Sequence, residues 1–168
     1  MGNMAAVRYP AAKKCATPAR GLLLLLVLGC QAKSPTEGKS VAEWDKQLRE
    51  GDTLAKAQAG LALAKLGAEA APAVPALIDT LKDSNTLVRQ NVCLALGAIG
   101  PEARAAINAL SAALGDSEWQ VRRQAAVALG QIGADARSAT PALKKAASDK
   151  HSLVQKAAKE ALKQIGAG

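Results

Sequence analysis

From residue 41 onward the apolar positions form a pattern that returns every 33 residues. Val88, Val92, Ala95, Leu96 and Ile99 stand at i, i+4, i+7, i+8 and i+11, the spacing of one face of an α-helix. Val121, Ala125, Ala128, Leu129 and Ile132 repeat that spacing, as do Val154, Ala158, Ala161, Leu162 and Ile165. A shorter helix precedes each of these, marked in one copy by Leu77 and Leu81, four residues apart. Gly67, Gly100, Gly133 and Gly166 follow the last apolar position of each long helix, where a left-handed cap favours glycine. Pro75 and Pro141 stand near the start of the short helix, where a missing N–H costs nothing. No stretch alternates with the period of two that a strand requires. The pattern predicts an all-α fold of two-helix units, a short helix A followed by a long helix B.

The period continues through the whole of this region. Residues 74–106 and 107–139 align without a gap and share 15 of 33 positions. Residues 140–168 keep the same frame and residues 41–73 keep it more loosely. Four copies of one period predict stacked structural units rather than a single-core fold. Asp83, Val88-Arg89 and Ala95-Leu96-Gly97-Ala98-Ile99-Gly100 recur at the same spacing as Asp116, Val121-Arg122 and Ala128-Leu129-Gly130-Gln131-Ile132-Gly133. This resembles a HEAT repeat, in particular the short bacterial variety seen in phycobilin lyases. The resemblance implies an α-solenoid, a HEAT-like superhelix of four two-helix repeats at 41–73, 74–106, 107–139 and 140–168. Ankyrin is the rival at this period, with an echo of its Thr-Pro-Leu-His box at Thr140-Pro141-Ala142-Leu143, although Lys144 replaces the histidine.

In HEAT-type repeats the turn Asp and the Arg six residues on pair within and between units. The resemblance therefore implies a structural ladder of Asp83, Arg89, Asp116 and Arg122. Glu50 with Lys56 reads as a weaker version, and Gln155 after Asp149 is expected to end the ladder. The end units read as caps. Lys159, Glu160 and Lys163 replace apolar or small residues of the preceding unit, which wets a face without a neighbour. Trp44 replaces the Leu of Leu77 and Leu110 and is expected to cover the other open end.

The N-terminal part follows another plan. A run of seven apolar residues, Leu22 to Leu28, is preceded by Arg8, Lys13, Lys14 and Arg20 with no acidic residue. A basic segment and a short apolar segment make a secretory signal peptide, and the run is far short of the roughly 20 residues of a membrane span. Val27-Leu28-Gly29-Cys30 resembles the lipobox of bacterial lipoproteins. The resemblance implies a cleaved signal at 1–29, diacylglycerol on Cys30, and residues 30–40 as a lipidated cysteine and flexible tether. Cleavage after Ala32 and retention of the run as an anchor are the alternatives. On the lipoprotein reading the protein is expected in the bacterial cell envelope, on the outer membrane or the outer face of the inner one.

Loss of residues 1–29 also changes the charge. The chain carries 22 basic and 14 acidic residues, a net +8, but the leader holds four of the basic ones. Eighteen against 14 leaves +4. With Trp44 and Trp119 as the only aromatics beyond the leader, stacking platforms for bases are nearly absent, and no nucleic acid is expected as a partner. Cys93 is the one cysteine beyond Cys30, so no intramolecular disulfide forms; a small buried hydrophobe is its simplest role.

No catalytic residue, metal set or cofactor site stands out. His151 is the only histidine, and its place at a turn reads as solvated or capping. Ser84, Ser111 and Ser117 have no partner outside the repeat pattern. The remaining candidate is the face of helix B opposite the core. At 100° per residue it carries Ala57, Leu61 and Ala64, then Gln90, Leu94 and Gly97, then Arg123, Val127 and Gly130, then Lys156, Glu160 and Lys163. That makes an apolar line, Leu61-Leu94-Val127, turning basic toward the C-terminus. Packing against neighbouring helices is one reading; a partner-binding groove formed by Leu61, Gln90, Leu94, Arg123, Val127 and Lys156 is the other. The function expected is a monomeric, membrane-anchored scaffold that binds another protein. A chromophore-attachment factor like the bilin lyases and a structural envelope spacer are the alternatives.

Overall fold

The structure is a computed structural model and describes residues 38–167. The expected signal peptide, Cys30 and most of the expected tether lie outside the described residues. The described chain is helical throughout and contains no strand. Four short A helices alternate with four long B helices: α1 (Val41–Glu50), α2 (Thr53–Leu66), α3 (Val74–Thr80), α4 (Thr86–Ile99), α5 (Ile107–Ala113), α6 (Trp119–Ile132), α7 (Thr140–Ala146) and α8 (Ser152–Gln164).

Side-chain caps start three of the four B helices, while Glu118 at the head of α6 makes no such bond. The Asp52 side chain accepts the Ala55 N–H, the Asn85 side chain accepts from Leu87 and Val88, and His151 accepts from Leu153. Such caps satisfy amides that have no partner inside the helix. Ser40 caps α1 in a reciprocal box with Glu43.

A seven-residue 3-10 segment joins each B helix to the next A helix: Gly67–Ala73, Gly100–Ala106 and Gly133–Ala139. The sequence pattern predicts only two elements per unit, so this third one is a correction. A second correction concerns the glycines that open these segments. Gly67, Gly100 and Gly133 have φ of 57°, 74° and 81° with ψ of −132°, −137° and −145°. That is not the left-handed helical cap, which asparagine also tolerates, but a region that a Cβ forbids more strictly.

The core runs unbroken through the stack. Leu48, Leu63, Leu77, Leu96, Leu110, Leu129 and Leu143 are fully buried, with Ile99, Ile132 and Ile165 at the ends of the last three long helices. Truncating one of these leucines to alanine costs about 2–5 kcal/mol. Trp44 is buried at the first end, with the Lys39 ammonium 4.6 Å from its ring centroid.

The two layers pack differently. Each B helix lies along the next, α2 on α4, α4 on α6 and α6 on α8, whereas α3 and α5, or α5 and α7, scarcely meet. Between the A helices lie open clefts of about 350, 250 and 510 Å³. A stack whose B layer is the tighter one bends toward that layer, so the B helices line the inner face.

Candidate functional site: the inner face of the B helices

Two opposite edges of the B layer define what remains open. The first is the loop edge, where the ladder runs. The Arg89 Nε and Nη2 donate to Asp116 Oδ2 and Oδ1 at 2.8 and 2.9 Å. Arg122 repeats this on Asp149 at 2.7 and 3.0 Å. The remaining amino group, Nη1, donates to the carbonyls of each arginine's own turn, Asp83 and Ser84 for Arg89, Asp116 and Ser117 for Arg122. Each arginine thus ties its own turn to the next one. The within-unit tie goes to backbone oxygen, and the carboxylate belongs to the following unit.

Each Asp is used on both sides. Asp83, Asp116 and Asp149 also accept the backbone N–H two residues on, at 2.8–2.9 Å. Burial alone would raise the Asp116 carboxyl, but Arg89 and the Glu118 N–H outweigh it and hold the group below its ordinary value. Burial is likewise outweighed at Asp83, by the Asn85 N–H and Lys56. At Asp149 the Arg122 guanidinium is the largest influence and lowers the carboxyl against the cost of burial.

The first rung is a correction. Lys56 does not pair with Glu50. Its ammonium donates to Asp83 of the next unit at 3.1 Å, while Glu50 faces Lys46 on the exposed side of α1 at 3.8 Å. Among the described residues no rung follows Asp149. Gln155 donates to the Asp149 carbonyl at 2.6 Å, as each arginine does to its own turn.

The second edge is the seam between B helices. A Cβ on Gly60 would lie 3.0 Å from the Asn91 Cβ, one on Gly97 3.0 Å from the Ala128 Cα, and one on Gly130 3.1 Å from the Ala161 Cα. Gly97 and Gly130 are buried. They stand at the seam and bring the helices close rather than on the open face, where the 100° rule puts them. At the first seam, buried Asn91 donates to the Ala57 carbonyl at 3.0 Å.

Between seam and ladder lies the open face. Leu61 and Leu94 are 43 % and 36 % exposed, Gln90 and Val127 are half-buried, and Arg123 and Lys156 are exposed. Arg123, Val127 and Lys156 meet in a depression of about 340 Å³ between α6 and α8, together with Gln131, Leu153, Glu160 and Gln164. Leu61 and Leu94 continue the same face on α2 and α4. Three further leucines escape the sequence reading: Leu54, Leu87 and Leu153, at 65 %, 55 % and 45 % exposure. Leu54 and Leu87 lie seven residues, two helical turns, before Leu61 and Leu94. That interval is the signal that could have found them, but they sit directly after the cap, ahead of the first core position.

The other groups with chemical potential are structural. Burial pushes the Cys93 thiol up to about 12, which keeps it protonated and inert at neutral pH. The His151 ring stacks on Trp119, with centroids 4.0 Å apart and planes 4° from parallel. Among the described residues no cluster of three or more His, Cys, Asp or Glu side chains is placed to hold a metal ion.

Residues 41–112 and 107–167 match the family model described as HEAT repeats. No curated protein matches the chain. Among solved structures, a designed armadillo repeat protein in complex with the peptide (KR)4 is similar with a TM-score of 0.66 at 21% identity, over 74% of this chain and 64% of that one. Human deoxyhypusine hydroxylase is similar with a TM-score of 0.61 at 30% identity, over 79% of this chain and 45% of its own. The CpcE and CpcF complex of phycocyanin lyase from Nostoc is similar with a TM-score of 0.55 at 26% identity, over 75% of this chain and 78% of that one. The chain thus spans less than two thirds of the designed repeat protein and less than half of the hydroxylase.

Proposed function

The chain belongs to the HEAT-repeat family, and we propose that it is an interaction scaffold that holds a polypeptide segment of another protein on the inner face of its B helices. One observation carries the reading. All five strongly exposed leucines among the described residues, Leu54, Leu61, Leu87, Leu94 and Leu153, lie on that one face. Scattered apolar residues on a surface need no explanation, but a contiguous set marks a contact surface. Covering it removes apolar area from water at about 25 cal/mol per Å². The designed repeat protein in complex with a peptide supports the same use of a stacked-helix surface. The phycocyanin lyase likeness supports a second reading, a chromophore-attachment factor, which a coloured covalent adduct after incubation with bilin would reveal.

The scaffold is further proposed to be held at a bacterial envelope membrane through lipid on Cys30. The support is the basic leader, the Leu22–Leu28 run and the Gly29-Cys30 edge. Incorporation of a fatty-acid analogue into wild type but not into Cys30→Ser is the expected result; equal labelling sinks the anchor.

Leu94→Asp tests the docking face. The new carboxylate reaches water in the free protein, so the thermal melt should stay near that of wild type while partner capture falls. An unfolded variant would make Leu94 a core residue. A folded variant that captures the same proteins would remove the face from consideration.

A further inference from the structure

The docking reading leaves open what kind of polypeptide fits, and the charge distribution bears on that. Repeats 74–106 and 107–139 each carry three basic and three acidic side chains, and 41–73 carries four and five. The last unit, 140–168, has six lysines against Asp149 and Glu160, a net +4. The whole excess charge of the repeat domain therefore lies in one unit. All six lysines are exposed. Arg122 already occupies Asp149, and Glu160 sits beside Lys163 at 3.7 Å. That leaves Arg123 on α6 and Lys156 on α8 without a carboxylate partner among the described residues, on the two helices that bound the 340 Å³ depression.

The seam adds a second feature at the same place. Gly97 leaves room for the amide of Gln131 and Gly130 for that of Gln164; a Cβ on either glycine would run into the facing Gln Oε1. At the first seam the two positions are Ala64 and Ala98 instead. The facing pair of glycine and glutamine occurs at the last two seams and is absent from these positions at the first, where Gly60 makes the close approach to Asn91 instead. The result is two amides one repeat apart, both lining the depression, with no hydrogen bond from either among the described residues. Each offers a donor and an acceptor, the complement of a peptide group.

We infer that the C-terminal half of the inner face takes an extended, acidic polypeptide segment. Arg123 and Lys156 hold its carboxylates, Val127 and Leu153 pack an intervening apolar side chain, and the Gln131 and Gln164 amides bond to its main chain. This rests on the docking reading and names its partner. Packed helices lie about 8–10 Å apart, which three residues of polyproline-like chain span at about 3.1 Å each. A carboxylate at every third position then meets both cations. Carboxylates alone would not choose between a polypeptide and another polyanion, but the lining does. Besides Arg123, Lys156 and one carboxylate, Glu160, which Lys163 faces at 3.7 Å, it offers aliphatic groups and amides, and no aromatic ring for a base to stack on.

The test uses the folded chain and a fluorescent peptide of four Glu-Leu-Pro copies, with Lys-Leu-Pro and Ser-Leu-Pro peptides as controls. The acidic peptide should bind, weaken as salt rises, and lose about tenfold in affinity in the double variant Arg123→Glu, Lys156→Glu. Lys159→Glu, which keeps both groove cations and lies outside the depression, should lose much less. All three substitutions are at exposed positions, and circular dichroism checks that each variant is folded. Equal binding of the Ser-Leu-Pro peptide, lost in Leu94→Asp but not in the charge-reversed variant, would overturn the acidic partner and leave the docking face standing. Failure of every peptide to bind would overturn the inference. So would anionic vesicles or duplex DNA that displace the peptide and show the same sensitivity to Arg123→Glu and Lys156→Glu, since the groove would then read charge and not polypeptide.

Discussion

At the first junction of the stack Lys56 reaches Asp83 with a single ammonium, and at the next two Arg89 and Arg122 grip Asp116 and Asp149 with a planar fork. The Lys56 side chain is 25 % exposed and that of Arg122 6 %. Lys56 donates to the following Asp only, whereas each arginine also donates to two carbonyls of its own turn. The first junction has its own tie at the other edge, where Asn91 donates to the Ala57 carbonyl inside the seam. Gln124 and Ala157 stand at the equivalent positions later on. A junction therefore needs one anchored loop edge and one close helix seam, and different residues meet those needs at different places. A fork serves where it is nearly dry; a point charge suffices where water reaches it and a buried amide shares the load.

The largest expected effect breaks this contrast directly. Arg122→Ala leaves Asp149 partly buried without its cation and two turn carbonyls without a donor, a loss of about 3–5 kcal/mol. Lys56→Ala takes a single contact from Asp83, which is as buried as Asp149, but strands no turn carbonyl, and should cost less, about 1–3 kcal/mol. Urea midpoints of the two variants measure the gap. Equal costs would mean that the fork and the point charge do the same work.

A smaller effect sharpens the seam. Gly97→Ala gains helix propensity of up to about 1 kcal/mol, but its methyl presses on the Ala128 Cα and collides with the Gln131 amide. Adding Gln131→Ala recreates the first seam, where Ala64 faces Ala98. The pair should couple by about 0.5–1 kcal/mol, with the double variant more stable than the two single changes sum to. Thermal melts of the four proteins give the cycle; strict additivity would show that the two positions are independent.

Much of this architecture is legible in the chain because it repeats. The Val88-to-Ile99 spacing marks helix B, and the glycine after it marks the end, whatever conformation that glycine takes. The 3-10 segments were not legible. Gly-Ala-Glu-Ala-Ala-Pro-Ala at 67–73 has neither a helical apolar stripe nor a sharp break, and only packing against the neighbouring units selects its form. The target of each ladder cation was ambiguous for a simpler reason. A partner six residues back is visible in a sequence, whereas one 27 residues ahead becomes visible only once the units are stacked. Seam and open face were confused at Gly97 and Gly130 because a few tens of degrees around helix B separate them from Leu94 and Val127. Periodicity locates a face to about that accuracy, and only the next helix decides where the seam falls.

The last effect vanishes at neutral pH and appears only in acid. Asp83, Asp116 and Asp149 all titrate below their ordinary value in the folded protein. A depressed folded-state value means that the unfolded chain binds the proton first as pH falls, so protonation favours unfolding. The ladder's contribution is complete above the unfolded carboxylate value of about 3.9. It declines as pH drops through the lower folded values. Stability attributable to these three groups should therefore be flat from pH 7 to about 5 and fall below about 4. Arg122→Ala separates the rungs within that window. Without the guanidinium, which is the largest influence holding the Asp149 carboxyl down, that group should return toward its ordinary value, and the acid slope of the variant should be shallower than that of wild type. Lys56→Ala should change the slope less, because the Asn85 N–H acts on Asp83 ahead of the ammonium. Urea midpoints taken at pH 7, 5, 4 and 3 for the three proteins read this out. An acid slope unchanged by Arg122→Ala would mean that the backbone N–H of His151, not the fork, sets the titration of Asp149.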